Sequence, residues 1–213
     1  MRGAMKTGLF AAAAVVLSLS APAQAGSYGM RLGDGRTVSV TVPEACRMSA
    51  ARGGGGMSCS YKAPDGDVRT IVLSGETAPL RQLLRAFSID AAAFRTAPEA
   101  YMGAMLQAME RMATGGPPGA GQRRLRADAE IAPAAPGTDV CLRFDFDYSG
   151  PLGPLGEVRS DNGGVRCLSY DAGSGEVTYV FLECMNLHGD LARRDPAHDS
   201  ETRRIAASLR VRD

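Results

Sequence analysis

The chain has 213 residues and a formal net charge of +1, from 24 lysines and arginines against 23 aspartates and glutamates. This balance argues against nucleic acid as a partner, because no basic footprint is present. The length is sufficient for one domain with a substantial core and short for two.

The N-terminus has the three parts of a secretory signal. Arg2 and Lys6 form a basic start, an apolar run follows from Leu9 to Leu19, and small residues lead to Ala25. This pattern predicts that residues 1–25 are a signal peptide that is removed on export.

Cleavage near Ala25 leaves residues 26–213, which we expect to form a single α+β domain with a net charge of −1. The first mature residue is Gly26 rather than Cys, which argues against a lipid anchor. No later apolar run reaches the roughly 20 residues of a membrane span. The sequence therefore predicts a periplasmic or secreted protein without a membrane span.

The predicted domain begins with two hairpins. The first joins two strands within residues 28–42 through an Asp34-Gly35 turn, since Asp-Gly is a strong signal for a short hairpin loop. The second pairs the region around Cys46 with residues 57–61, and its tip lies near Gly53 to Gly56.

A strand at 68–73 and two helices follow. The first helix opens near Pro79, and its apolar residues have the i, i+3, i+4, i+7 spacing of one buried face. The longer helix is predicted to start from a capping box, Thr96 to Glu99, and to end at Gly115.

Residues 124–184 are predicted to form a four-strand antiparallel meander. Its first two strands, 124–131 and 140–148, alternate polar and apolar residues, as half-buried strands do. A register with Ile131 opposite Val140 gives three opposite-charge pairs, which are Asp128 with Arg143, Arg126 with Asp145, and Arg124 with Asp147.

A Gly- and Pro-rich loop, Ser149 to Gly156, precedes the last hairpin, which joins 165–170 to 176–184. Such a loop can bind or cover a ligand, or it can simply be solvated. Residues 177–182 are apolar almost throughout, which favours a strand covered on both faces. A helix from about Asp199 closes the chain.

The fold class predicted from these elements is α+β, a mainly antiparallel sheet covered by helices. With Val40-Thr41-Val42-Pro43 entering the first crossover and Ser208-Leu209-Arg210-Val211 closing the chain, the layout resembles the PsbP-like α/β/α sandwich family of small exported proteins. Where these proteins often carry Trp three residues after the Pro, this chain has Cys46. The resemblance implies a binding or assembly role and carries no catalytic residue onto this chain.

Five cysteines in an exported chain are expected to form disulfides, and an odd number leaves at least one thiol unpaired. The second hairpin sets Cys46 opposite Cys59, within disulfide reach. We assign Cys167 and Cys184 to a second bond, although their hairpin leaves them out of register, and we leave Cys141 free. A buried inert thiol is the simpler interpretation of the unpaired cysteine, because a reactive one needs a nearby cation or helix N-terminus.

Four methionines lie along one face of the longer helix, at spacings of three and four: Met102, Met105, Met109 and Met112. Thioethers are Cu(I) ligands, which makes this stripe a weak candidate for a soft-metal site. Core packing is the favoured interpretation of the stripe, since it belongs to the only apolar face of the helix and Met fills irregular gaps.

Two histidines and three acids lie close together near the C-terminus. His188 and His198, with Asp190, Asp195 and Asp199, have ligand types that suit zinc, but the spacing of the histidines matches no standard zinc motif. We therefore expect a solvated loop here.

A thiol enzyme or hydrolase would need Cys184 or Cys141 beside a histidine such as His188, and no third catalytic group is evident. Asp145 and Asp147 share a strand face but have arginine partners in the predicted register, so no acid–base pair stands out.

The sequence as a whole predicts a monomeric, non-enzymatic, exported binding or accessory protein without a cofactor. Its partner is a protein or small molecule that the sequence does not identify. The alternative is a periplasmic soft-metal or redox protein that uses the methionine stripe or the unpaired cysteine.

Overall fold

A computed structural model of the chain describes residues 26–50, 55–115 and 121–213. The predicted signal peptide and part of the predicted hairpin tip, residues 53 and 54, lie outside these ranges. Ten strands and four α-helices are present in the described residues, and the strand pairings are antiparallel. The α+β class and the mainly antiparallel sheet are therefore confirmed.

The strands are β1 Gly26–Arg31, β2 Thr37–Val42, β3 Ser49–Ala50, β4 Gly56–Lys62, β5 Val68–Pro79, β6 Arg123–Ala132, β7 Val140–Pro151, β8 Glu157–Asp171, β9 Glu176–His188 and β10 Arg210–Arg212. The helices are α1 Leu80–Ala86, α2 Ala91–Thr96, α3 Pro98–Gly115 and α4 Pro196–Ala207. No helix among the described residues is long and apolar enough to cross a bilayer.

Two sheets organise the chain. A three-stranded sheet has the order β1-β2-β10, and a seven-stranded sheet has the order β3-β4-β5-β9-β8-β7-β6. The predicted meander is thus present as β6 to β9. Because side chains alternate along a strand, β9 sends Leu182 into a core shared with the small sheet and α4, and Phe181 toward a core shared with α1 to α3.

The helical region differs from its prediction because one helix was not expected. The Asp90 side chain caps α2 by accepting hydrogen bonds from two backbone amides, those of Ala92 and Ala93, both at 2.9 Å. Thr96 is the last residue of α2, and its hydroxyl donates to the Ala93 carbonyl at 2.6 Å. The predicted capping box at Thr96 is wrong, since α3 starts at Pro98, a residue suited to the first helical position.

The register between β6 and β7 is shifted by two residues from the predicted one. Glu130 lies opposite Arg143, and an irregularity between Arg124 and Arg126 absorbs one residue. A shift of two leaves the side chains of residues 126–132 on their predicted face, so alternation alone does not distinguish the two registers there.

The charge pairs change accordingly. Arg143 forms its salt bridge with Glu130, so the predicted pair with Asp128 is wrong. Arg126 and Asp145 do form a salt bridge, at 3.6 Å, as predicted. Asp147 is bound by two arginines from elsewhere in the chain instead of Arg124.

The structure pairs Cys46 with Cys59, as the hairpin predicts, with the two Cα atoms 5.5 Å apart. The second predicted bond, Cys167 with Cys184, is wrong. Cys167 lies directly opposite Cys141 in the β7–β8 register and forms a disulfide with it, which leaves Cys184 as the free, buried thiol. Cys184 is opposite Gly163 and too far along the sheet for that bond.

Candidate ligand-binding groove

Helices α1 to α3 cover only part of one face of the seven-stranded sheet and leave the rest of that face open. In the register of β9, β8 and β7, Met185 lies opposite Asn162, which lies opposite Phe146. In the next row, Leu187, Ser160 and Tyr148 are aligned in the same way. Side chains that are aligned across neighbouring strands share one face, so these two rows form a continuous floor.

This floor belongs to a groove with a volume of about 330 Å³, which we call the sheet groove. Val158 at the start of β8 and Leu152 contribute further apolar surface. Leu152 comes from the predicted loop 149–156, in which residues 149–151 are the end of β7 and residues 153–155 form a short 3₁₀ turn. The role that the sequence left open for this loop is, in the structure, to supply one wall of the groove.

Most polar groups of the floor are satisfied within the protein. The Asn162 side-chain amide donates to the Phe146 carbonyl at 3.0 Å and to the Ser160 carbonyl at 3.2 Å. Its oxygen accepts a hydrogen bond from the Ser160 hydroxyl at 3.0 Å. These bonds hold β7 and β8 together and leave the floor with apolar contact surface.

Glu183 is an exception and is the only Asp, Glu, Lys, Arg or His of the groove lining among the described residues. Its carboxyl group forms no salt bridge or side-chain hydrogen bond with any described residue. Burial raises its pKa to about 7, with Arg166 lowering it and Glu110 raising it to smaller extents. The carboxyl group is therefore partly protonated at neutral pH and available to a ligand.

Arg166, the nearest cation, is occupied by other contacts. Its guanidinium lies 4.5 Å from the Phe181 ring centroid and 5.0 Å from that of Phe144. It also forms a salt bridge of 2.7 Å with the buried Glu110 and donates to the Tyr179 hydroxyl at 2.8 Å. The positive charge of Arg166 therefore lowers the pKa of Glu183 although the two side chains form no direct bond.

The predicted solvated loop around the histidines is wrong, because both histidines are buried. His188 and His198 are 5% and 3% exposed, and Asp195 is 3% exposed. His188 lies with its Nε2 3.1 Å from Asp161 Oδ2 on the neighbouring strand β8. Burial lowers the pKa of His198, and the nearby Arg69 charge adds to that effect.

The acids of this segment are held by arginines and backbone amides. Asp199 forms a salt bridge of 2.8 Å with Arg194, and Asp195 one of 2.8 Å with Arg69. Asp190 is exposed and accepts hydrogen bonds from two backbone amides that follow it. The five residues therefore do not converge on a zinc site.

Oxygen atoms of Asp65, Asp67 and Asp195 do lie within 4.8 Å of one another. Arg69 supplies a positive charge to this group, since its guanidinium donates to both Asp65 and Asp195. The acidic cluster is thus accounted for by a guanidinium rather than by a metal ion.

The free thiol does not have the properties of a nucleophile. Burial raises the pKa of Cys184 to about 12, so that its thiolate is negligible at neutral pH. Cys141, the other candidate, is bound in a disulfide.

The methionine stripe is divided between two environments. Met102 and Met105 are each 1% exposed and pack in the core between α3 and the sheet. Met112, about two turns beyond Met105, is 67% exposed. A shared soft-metal site gains no support from this arrangement.

Sequence reasoning missed the residues of the sheet groove. Residues 157–164 were not assigned to a strand, so the alignment of Ser160 and Asn162 with β7 and β9 was not expected. The one available signal was Glu183, a carboxylate within an otherwise apolar stretch of a predicted two-sided strand.

No family model matches the chain, and no match is found among the curated proteins. Among solved structures, the chain is similar to LpqN, described as involved in cell envelope biogenesis of Mycobacterium tuberculosis. The identity is 13%, the alignment covers 89% of this chain and 92% of that chain, and the TM-score is 0.47.

Proposed function

We propose that this protein is a non-enzymatic binding protein that holds a small apolar ligand in the sheet groove. The observation that carries the proposal is a groove of about 330 Å³ with an apolar floor and a single carboxylate side chain, Glu183, in its described lining. Ligand sites of small molecules are typically concave and mostly apolar, with a few polar groups that orient the ligand.

Glu183 selects the kind of ligand. Its carboxyl group is the one group of the described groove lining that can carry a negative charge at neutral pH, and no described residue forms a salt bridge or side-chain hydrogen bond with it. A ligand with an apolar body and one N–H or O–H donor supplies this carboxyl group with a hydrogen bond while it covers Met185 and Leu187. An entirely hydrocarbon ligand leaves a buried carboxyl group without a partner, which is unfavourable.

We further propose that residues 26–213 act as a monomeric single domain outside the cytoplasm. The N-terminal pattern of residues 1–25 supports export, and the two disulfides are typical of an oxidising compartment. Packing of α1 to α3 against one sheet face, and of α4 with the small sheet against the other, supports the α/β/α sandwich-like arrangement. We also propose that this arrangement is similar to the α/β/α sandwich of the PsbP-like family.

The test is fluorescence titration of the exported protein with N-phenylnaphthylamine, an apolar probe with one N–H donor. We expect saturable binding that Met185→Lys weakens at least tenfold, because a charge in the apolar floor must be desolvated when the probe binds. Met112→Lys is the matched control, since Met112 is 67% exposed and lies on α3 outside the groove lining.

Two results would contradict the proposal. One is the absence of saturable binding to the wild-type protein. The other is an equal loss in the Met185 and Met112 variants, which would show that the probe senses overall apolar surface instead of this groove.

A further inference from the structure

We propose that a second cleft, on the opposite face of the seven-stranded sheet, binds a long-chain fatty acid through its carboxylate and the first part of its alkyl chain. This cleft lies between the β6–β7 connection and α4 and has a volume of about 390 Å³. We call it the arginine cleft. It is independent of the sheet groove, since the two share no lining residue.

The walls of the arginine cleft are made of small apolar residues. Residues 132–136, with the sequence Ala-Pro-Ala-Ala-Pro, form one side, and Ala206 and Leu209 contribute to the other. Val165 and Cys141, which are 7% and 0% exposed, lie at the base. Short side chains and the Cys141 disulfide to the adjacent strand favour a rigid slot for an unbranched chain.

The charged residues of the lining are all cationic. They are Arg143, Arg203 and Arg210, and no aspartate or glutamate in the described part of the chain lines the cleft. Arg203 makes no hydrogen bond or salt bridge with a described residue, and Arg210 donates only to two backbone carbonyls at the end of α4. Two full positive charges therefore lack a carboxylate partner beside an apolar slot.

The third arginine is weakly held. Arg143 forms a salt bridge with Glu130, but these side chains are 50% and 62% exposed. Exposed pairs of this kind contribute little to stability, so Arg143 can exchange its partner for a ligand at small cost. A planar guanidinium binds a carboxylate through two parallel hydrogen bonds.

The shape of the cleft favours a free fatty acid over a bilayer surface. Membrane-inserting proteins present large apolar side chains that protrude, whereas none of the large exposed hydrophobic residues of the described chain lines this cleft. A fatty acid therefore binds inside the arginine cleft, and the cleft residues do not insert into a bilayer.

The experiment compares two fluorescent probes on the exported protein: dansylaminoundecanoate and its uncharged methyl ester. We expect saturable binding of the carboxylate and at least tenfold weaker binding of the ester. The double variant Arg143→Gln/Arg203→Gln should weaken carboxylate binding at least tenfold, as expected for the loss of charge-assisted hydrogen bonds, and leave ester binding unchanged.

Two controls match these changes. Arg81→Gln/Arg95→Gln removes the same charge from helices α1 and α2 on the other side of the sheet and should have no effect. Ala134→Glu introduces a carboxylate into the cleft wall and should abolish carboxylate binding, whereas Ala134→Gln, similar in size, should retain it. Because Ala134 is exposed and lies in a connection, both variants are expected to fold.

Equal affinity for the acid and the ester, or no effect of the arginine double variant, would overturn the inference. So would arginine-dependent sedimentation with phosphatidylglycerol vesicles in the absence of free-carboxylate binding. Loss of carboxylate binding in Met185→Lys with full binding in the arginine variant would place the ligand in the sheet groove and overturn this inference alone. If N-phenylnaphthylamine does not bind but the carboxylate probe binds in an arginine-dependent way, the proposed function is contradicted and the present inference stands.

Discussion

Arg69 and Asp195 are 126 positions apart in the sequence and form a buried salt bridge of 2.8 Å, with side chains 6% and 4% exposed. Arg69 belongs to β5, and Asp195 caps α4 by accepting a hydrogen bond from the Ala197 amide. Arg69 also donates to Glu201 of α4 at 2.8 Å. One guanidinium therefore fixes both the start and the second turn of α4 on the sheet.

We expect Arg69→Met to lower the free energy of unfolding by about 3–5 kcal/mol, because it leaves Asp195 buried and unpaired. Urea unfolding measures this change. Arg204→Met is the control, since Arg204 is 67% exposed and its salt bridge is with the same helix; it should change stability by less than about 0.5 kcal/mol. Similar losses in the two variants would contradict a special role for the Arg69 network.

A second group of ion pairs, around Asp147, also explains why the histidine segment is buried although its sequence is charged. Asp147 is 1% exposed and is held by Arg159 at 3.2 Å and by Arg194 at 2.8 Å. An aspartate that is paired in this way cannot be distinguished from a solvated one by local composition. The prediction of a solvated loop around His188 therefore lacked the information it needed, namely which distant arginines reach it.

The thiol state gives a second prediction. In the native protein, Cys184 should resist alkylation, because it is 2% exposed and its pKa is raised to about 12. One thiol per chain should react after unfolding without reductant, and five after reduction. Mass spectrometry of the alkylated peptides identifies the cysteine; a label on Cys141 or Cys167 after unfolding without reductant would contradict the second disulfide.

Features of the fold that depend on residues close together in the sequence were predictable, whereas features that depend on distant residues were not. The Cys46–Cys59 bond depends on one hairpin, and it follows from local turn chemistry. The Cys141–Cys167 bond depends on the β7–β8 register over 26 positions, and the first half of β8 contains Asn162 and Gly163, which have low strand propensity. Without the first half of β8, residues 157–164, neither the disulfide nor the sheet groove could be predicted.

The β6–β7 register supplies a third prediction. Charge reversal at Arg143 (Arg143→Glu) should be partly rescued by Glu130→Arg, with a coupling energy of about 0.2–1 kcal/mol, since this is an exposed cross-strand pair. The same reversal combined with Asp128→Arg should show no such rescue, because Asp128 pairs with Arg126. Thermal or urea unfolding of the two cycles decides between the registers, and rescue by Asp128→Arg alone would favour the register expected from charge matching.

Glu183 gives the fourth prediction, a pH dependence of stability. Its pKa is raised from 4.5 to about 7 in the folded protein, so the folded state binds the proton more tightly than the unfolded state. The stability that this group contributes is therefore fully present below about pH 4.5 and is lost as the pH rises through about 7. Because Glu183 is partly exposed, we expect the free energy of unfolding to fall by about 1–3 kcal/mol, which is less than the energy that corresponds to the full pKa shift.

Burial also lowers the pKa of His198, so the wild-type curve alone does not isolate the effect of Glu183. The difference in unfolding free energy between wild type and Glu183→Gln does isolate it, since both proteins share the remaining groups. We expect Glu183→Gln to become more stabilising relative to wild type as the pH rises from 5 to 8, by about 1–3 kcal/mol. Glu157→Gln, an exposed carboxylate at the start of β8, controls for the simple loss of a negative charge. A difference curve for Glu183→Gln that matches the one for Glu157→Gln would show that the groove carboxylate is solvated. There would then be no reason to expect that the ligand carries a hydrogen-bond donor.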